Sequence, residues 1–194
     1  MKVLLITGFE PFGGEALNPS WEAVVRLPSE IGGYELYKLL IPVTFGEAAD
    51  LVLAKAEEIC HDVIICVGQA GGRRAITPEL VGINLRFASI PDNAGAKPAD
   101  EAIIDGGDAA FFSNLPVRKM AEAINASGVP AQVSYSAGAY VCNDVLYKVL
   151  SRYSGSQTRA GFIHIPYCTE QNKQPSMELN DIIKGLTAAI EAIG

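Results

Sequence analysis

Short apolar runs alternate along this chain with longer segments whose apolar residues recur at helical spacing, and that alternation is the strongest constraint on its fold. Residues 2–7 (KVLLIT) are almost continuously apolar and stop at Gly8. A run without polar alternation suits a strand covered on both faces, the situation in a parallel sheet. Residues 34–42 (YELYKLLIP), 62–67 (DVIICV, ended by Gly68), 131–135 and 160–165 (AGFIHI) read as further strands. Helices fall between them. Asn18 before Pro19 is an N-cap followed by proline at the first helical position, which predicts a helix to about Leu27. Thr44 and Glu47 have capping-box spacing, and Phe45, Ala48, Val52, Ala56 and Ile59 predict an amphipathic helix over 45–60. Further helices are expected from Pro116 to a stop at Gly128, over 139–151, and over 176–193. Residues 81–90 read as an extended pair of short strands. Residues 91–113, rich in Pro, Gly and Asp, form a long excursion and a candidate lid or binding insertion. The expected fold is α/β: one domain over 1–194, a three-layer αβα sandwich around a twisted, mostly parallel sheet.

Composition narrows the possible partners. The chain has 22 acidic and 15 basic residues, a formal net charge of −7, which leaves no basic footprint for nucleic acid or an anionic membrane. No apolar run approaches the ~18 residues of a membrane span. The opening MKVLLITGFEPF is too short in its apolar part for a signal-peptide core and reads as a strand. The cysteines Cys60, Cys66, Cys142 and Cys168 include no C-x-x-C pair and match no disulfide framework or zinc ligand set. Free thiols in a reducing cytoplasm, with no metal and no cofactor, are the expectation.

In an open α/β sheet, sites form at the carboxyl ends of strands. Cys142 lies there, in the first turn of the helix that follows strand 131–135. A helix start lowers a thiol pKa and offers unpaired N–H groups to an oxyanion. The competing reading is a small buried apolar residue sharing its face with Val145 and Leu146. His164 ends the next strand, and a right-handed βαβ unit brings that end near the Cys142 helix. The other histidine, His61, sits at the opposite edge, where a surface or helix-capping role is expected. Glu79, after strand 62–67, is the candidate to orient the His164 imidazole, against the alternative of an ordinary exposed glutamate. Phe9 and Phe12, in a glycine-rich loop lacking the lysine and spacing of a phosphate cradle, suit a flat uncharged ring, unless both pack into the core. Gln69 supplies an amide fork for a lactam or amide.

Several motifs occur in order: TGFEPFGG (7–14), NPSWEAV (18–24), GQAGGR (68–73), ITPELVGIN (76–84), IPDNAG (90–95), SYSAGAYVCNDVLY (134–147) and GFIHIPY (161–167). With these, essentially the whole chain resembles the pyrrolidone-carboxylate peptidases, or pyroglutamyl peptidases I, cysteine peptidases that remove N-terminal pyroglutamate. The resemblance implies Cys142 as nucleophile, His164 as base and Glu79 as its orienting acid. It also implies a ring pocket formed by Phe9 and Phe12 with Gln69 near the substrate, an αβα sandwich, and assembly as a homotetramer. Residues 109–115 are a candidate subunit contact. Two positions depart from the family pattern. Ser89 stands where many relatives carry an arginine credited at the oxyanion, leaving that role to the Cys142 backbone N–H or to Arg86. Asp144 stands where many carry a histidine. A nucleoside phosphorylase or nucleosidase, with Arg73-Arg74 as its only basic cluster, and a binding relative without catalysis are the competing functions.

Overall fold

The computed structural model describes all 194 residues. In chain order the elements are β1 (Lys2–Phe9), α1 (Pro19–Arg26), β2 (Glu30–Ile31), β3 (Tyr34–Ile41), α2 (Glu47–Ile59), β4 (Val63–Gln69), β5 (Thr77–Pro78), β6 (Val81–Ile83), β7 (Arg86–Phe87), β8 (Ala99–Glu101), β9 (Ala110–Phe112), α3 (Val117–Ala126), α4 (Val141–Tyr153), β10 (Arg159–Ile165), β11 (Tyr167–Cys168), β12 (Ser176–Met177) and α5 (Leu179–Glu191). The main sheet has the order β2-β3-β1-β4-β10-β5. The four long strands run parallel, and the short edge strands β2 and β5 run antiparallel.

The period of two along each apolar run divides the interior into two cores. Leu4, Ile6, Val63, Ile65, Ile163 and Ile165 face a core completed by α1, α3 and α5. Leu5, Ile64, Cys66, Ala160 and Phe162 face the other, completed by α2 and α4. The sheet is therefore the middle of three layers, as expected. Each side chain of this size that is fully buried contributes about 1.5–3 kcal/mol, so two-faced burial holds the central strands in place.

Tertiary contacts override several local expectations. Neither Gly8 nor Gly68 ends its strand; β1 runs on to Phe9 and β4 to Gln69. Gly8 is required by packing, since a Cβ there would lie 2.7 Å from the Trp21 backbone of α1. Residues 131–135 form no strand, only isolated parallel bridges from Ala131 to Ile76 and from Ser134 to Glu79. The outward N–H and C=O of Ala131 are taken by the Asn125 side chain at 3.0 and 2.8 Å, which replaces a ladder partner. The Thr44–Glu47 capping box does not form. Gly46, at φ 79°, precedes α2, and the Phe45 and Gly46 N–H groups donate to the carboxylates of Asp92 and Asp144, each at 2.9 Å. Strands β6 and β7 pair with β9 and β8, not with each other, so much of the 91–113 excursion is folded against 81–87. Ser176 and Met177 pair with β11, and the last helix starts later, at Leu179.

Candidate active site

Sheet register brings the three expected groups together. His164 shares its face of β10 with Phe162, the face covered by α4. Its neighbours in register are Gly68 on β4 and Thr77 on β5, on strands about 4.8 Å away. Glu79, two residues beyond Thr77, projects from the same face, and its Oε1 lies 2.7 Å from His164 Nδ1. Cys142 is the second residue of α4, whose start overhangs β4. A Cβ built on Gly68 would lie 2.9 Å from Cys142 Sγ. The thiol thus occupies the space a side chain would fill beside His164, over a glycine that leaves room for it. In the first turn, Asn143 and Asp144 both donate to Tyr140 O, at 3.0 and 3.1 Å, and the N–H groups of Val141 and Cys142 have no backbone acceptor.

Charge and burial define the state of these groups. Glu79 is completely buried and His164 is 3% exposed. A carboxylate only accepts, so Nδ1 carries the proton, and neutral His164 has a bare Nε2. Burial lowers the His164 pKa from its ordinary value and outweighs the opposing pull of Glu79. For Glu79, burial pushes the carboxyl up, but the His164 hydrogen bond and charge, with help from Ser134 and Arg73, hold it below the usual range. Cys142 keeps partial access to solvent. Even so, burial, with Glu79 and Cys66 nearby, pushes its thiol up to about 12, against the helix-start N–H and Arg73. The expected lowering by the helix terminus is overturned; the resting pair is a neutral thiol beside a neutral imidazole.

Phe9, Phe12, Gln69 and Cys142 line one small apolar cavity of about 30 Å³, with Asn18, Val43, Tyr140 and Val141. Phe9 serves core and cavity alike: it is 2% exposed and packs on Phe162 at a centroid distance of 6.2 Å. Tyr140, which the sequence reading did not single out, packs on Phe12 at 6.2 Å and edge-on to Phe45 at 5.3 Å. Arg86 does not line this cavity; its Nε donates to Asp144 Oδ1 at 2.6 Å, and Asp144 is completely buried. Ser89 is exposed. His61 lies elsewhere, its Nδ1 2.7 Å from Ala56 O near the end of α2, as a capping role requires. Arg73, weighed only as a phosphate ligand, is instead bound to Glu79 Oε1 at 2.6 Å and to Ser136 O at 3.0 Å. Its signal was its place six residues before Glu79, too little to find it without the tertiary contact.

No helix is long and apolar enough to cross a membrane. The family model described as pyroglutamyl peptidase matches residues 1–194. A pyrrolidone-carboxylate peptidase of Levilactobacillus brevis is 51% identical over 196 residues, covering 98% of this chain and 96% of its own. One of Clostridium perfringens is 49% identical over 201 residues, covering 100% of this chain and 93% of its own. The crystal structure of pyroglutamyl peptidase I from Bacillus amyloliquefaciens superposes with a TM-score of 0.95 at 45% identity, covering 100% of this chain and 97% of that one. The pyrrolidone carboxyl peptidase of Thermococcus litoralis superposes with a TM-score of 0.94 at 38% identity, covering 100% and 93%. These matches span both chains nearly end to end and leave the nucleosidase alternative without support. With a buried histidine–carboxylate pair beside a helix-start cysteine, and with likeness over its whole length, the chain belongs to the pyroglutamyl peptidase family.

Proposed function

We propose that this chain hydrolyses the amide bond after an N-terminal pyroglutamyl residue of peptides and proteins, with Cys142, His164 and Glu79 carrying the chemistry. The observation that carries the assignment is the His164–Glu79 bond of 2.7 Å, which turns a bare Nε2 toward use as a base next to the Cys142 thiol. As Sγ attacks the scissile carbonyl carbon, its proton passes to Nε2, so a neutral thiol needs no prior ionisation. The oxyanion forms at the unpaired N–H groups of Val141 and Cys142, with helix polarity in its favour. When the C–N bond breaks, His164 returns the proton to the leaving amine. Water then attacks the thioester, giving its proton to His164, and the C–S bond breaks as the thiol is restored.

The ring pocket is the cavity of Phe9, Phe12 and Gln69. At about 30 Å³ it has room for roughly one water, so Phe12 and Tyr140 separate as a five-membered ring enters. Apolar walls favour a substrate whose α-nitrogen is an uncharged lactam amide. Arg86 serves the fold through Asp144, which leaves oxyanion donation to the backbone. The test is hydrolysis of a pyroglutamyl fluorogenic amide by the wild type, Cys142→Ala and His164→Ala. Loss of activity in both variants, each with an unchanged melting curve, is the expected result. Wild-type rates in either variant refute the assignment.

A further inference from the structure

The ring pocket must tell a lactam from a plain five-membered ring, and Gln69 does so only if the correct end of its amide faces the cavity. An amide group can offer either a donor or an acceptor, and the two ends have nearly the same shape. Around Gln69 the choice is made by a chain of hydrogen bonds from outside the pocket. Gln171, in the single 3₁₀ turn after β11, accepts from the Cys168 backbone N–H through Oε1 at 3.1 Å. A backbone N–H only donates, so that end of Gln171 is oxygen. Its Nε2 then donates to Gln69 Oε1 at 2.8 Å and lies 3.4 Å from Glu15 Oε2. Glu15 is a carboxylate held by Lys173 and lowered in pKa, and a carboxylate only accepts. Two independent neighbours therefore fix the Gln171 amide in the same sense. Because Gln171 presents nitrogen, Gln69 turns its oxygen outward to meet it, and its own Nε2, with no protein partner, is left for the cavity that it lines with Cys142.

We propose that Gln171, locked by the Cys168 N–H and Glu15, is a positioning residue that keeps the Gln69 amide turned donor-inward, so that the pocket reads the ring carbonyl of the substrate. The proposal rests on the ring pocket assigned above. A substrate ring lacking that carbonyl leaves the Gln69 donor unpaired, and this penalty makes the discrimination steep.

Gln171→Glu, made in a Glu15→Gln background so that no carboxylate opposes the new one and compared with Glu15→Gln alone, tests the relay by reversing one polarity. The new carboxylate still accepts from Cys168, but it presents an oxygen to Gln69, whose amide turns and offers its own oxygen to the cavity. The expected result is a fall in kcat/KM for a pyroglutamyl fluorogenic amide of about ten- to a hundredfold, most of it in KM. The rate of Cys142 alkylation by iodoacetamide stays at the wild-type value. A second readout isolates the carbonyl contact: competitive inhibition by 2-pyrrolidone and by pyrrolidine-2-thione, whose sulfur is the poorer acceptor. Wild-type protein and Glu15→Gln alone prefer the oxygen compound, and Gln171→Glu in that background loses the preference. Should Gln171→Glu fail to fold, Gln171→Met removes the constraint without reversing it and gives a smaller loss of the same preference. An unchanged oxygen-to-sulfur preference in a folded variant with wild-type Cys142 alkylation overturns the relay and leaves the catalytic assignment standing. Failure of the catalytic assignment itself appears separately, as pyroglutamyl hydrolysis that survives Cys142→Ala.

Discussion

Replacing Gly68 by alanine adds one methyl group at the floor of the site. Its Cβ would lie 2.9 Å from Cys142 Sγ and 2.7 Å from Phe162 Cζ. Non-bonded heavy atoms settle at about 3.5–4.0 Å, so the thiol must retreat by roughly 0.6–1.1 Å and the Phe162 ring by roughly 0.8–1.3 Å. Misplacing a reacting atom by about 1 Å costs on the order of 10²-fold in rate. Overpacking of this kind also costs about 1–3 kcal/mol of stability, or roughly 2–12 °C in Tm for a chain of this size. The expected outcome is a folded protein whose kcat for a pyroglutamyl fluorogenic amide falls about a hundredfold, with KM changed less, because the added methyl meets Cys142 and Phe162 first rather than the Phe12 and Tyr140 walls of the ring pocket. Steady-state kinetics beside a melting curve measure both effects. A Gly68→Ala protein with a lowered Tm but kcat within about threefold of wild type would refute the reasoning, since it would show that Sγ does not depend on the space above Gly68.

Removing the base should act on the nucleophile alone: His164→Ala slows iodoacetamide labelling of Cys142 at neutral pH and leaves the exposed Cys60 unchanged, as mass mapping will show. With the Cys142 thiol pushed up to about 12 and His164 held below its ordinary 6.5, Cys142 labelling should climb steadily from pH 6 to 9; a plateau below pH 7 would indicate a preformed thiolate–imidazolium pair. Glu79→Gln should lower kcat by less than Cys142→Ala does. Because the folded Glu79 carboxyl lies below its ordinary 4.5, its contribution to stability is complete above that pH and is lost as pH falls through the folded value. Wild type should therefore lose more urea stability on acidification below about pH 4.5 than Glu79→Gln does. Arg86→Met strands the fully buried Asp144 and should cost about 3–5 kcal/mol in urea unfolding, whereas Arg86→Met/Asp144→Asn recovers most of it; a rate loss without a stability loss would return Arg86 to the oxyanion.

Order along the chain was enough to establish the layered fold and the first-turn position of Cys142. Short apolar runs separated by helical periodicity point to covered strands joined by crossovers, so the parallel sheet follows from local pattern. Chain handedness would bring Cys142 to His164 only through a strand over 131–135, which does not form; the thiol reaches the His164 end of β10 because α4 packs over Gly68 and Phe162. Loop position and residue type singled out Glu79, Phe9, Phe12 and Gln69 as well, and the family resemblance gave each its role. What sequence pattern could not supply depends on distant partners. The start of α2 is capped by Asp92 and Asp144, residues no local rule connects to Gly46, and Asn125 occupies the edge where a strand over 131–135 would have paired. Arg73 became part of the site only through its bond to Glu79, and Gln171 only through its bond to Gln69, across 102 positions of chain. The sign of the Cys142 shift was decided in the same way. A helix start lowers a thiol pKa through a few local dipoles, which the sequence shows, but loss of solvent around the sulfur raises it more, and solvent is excluded only when strands, helices and loops from the whole chain have closed around it.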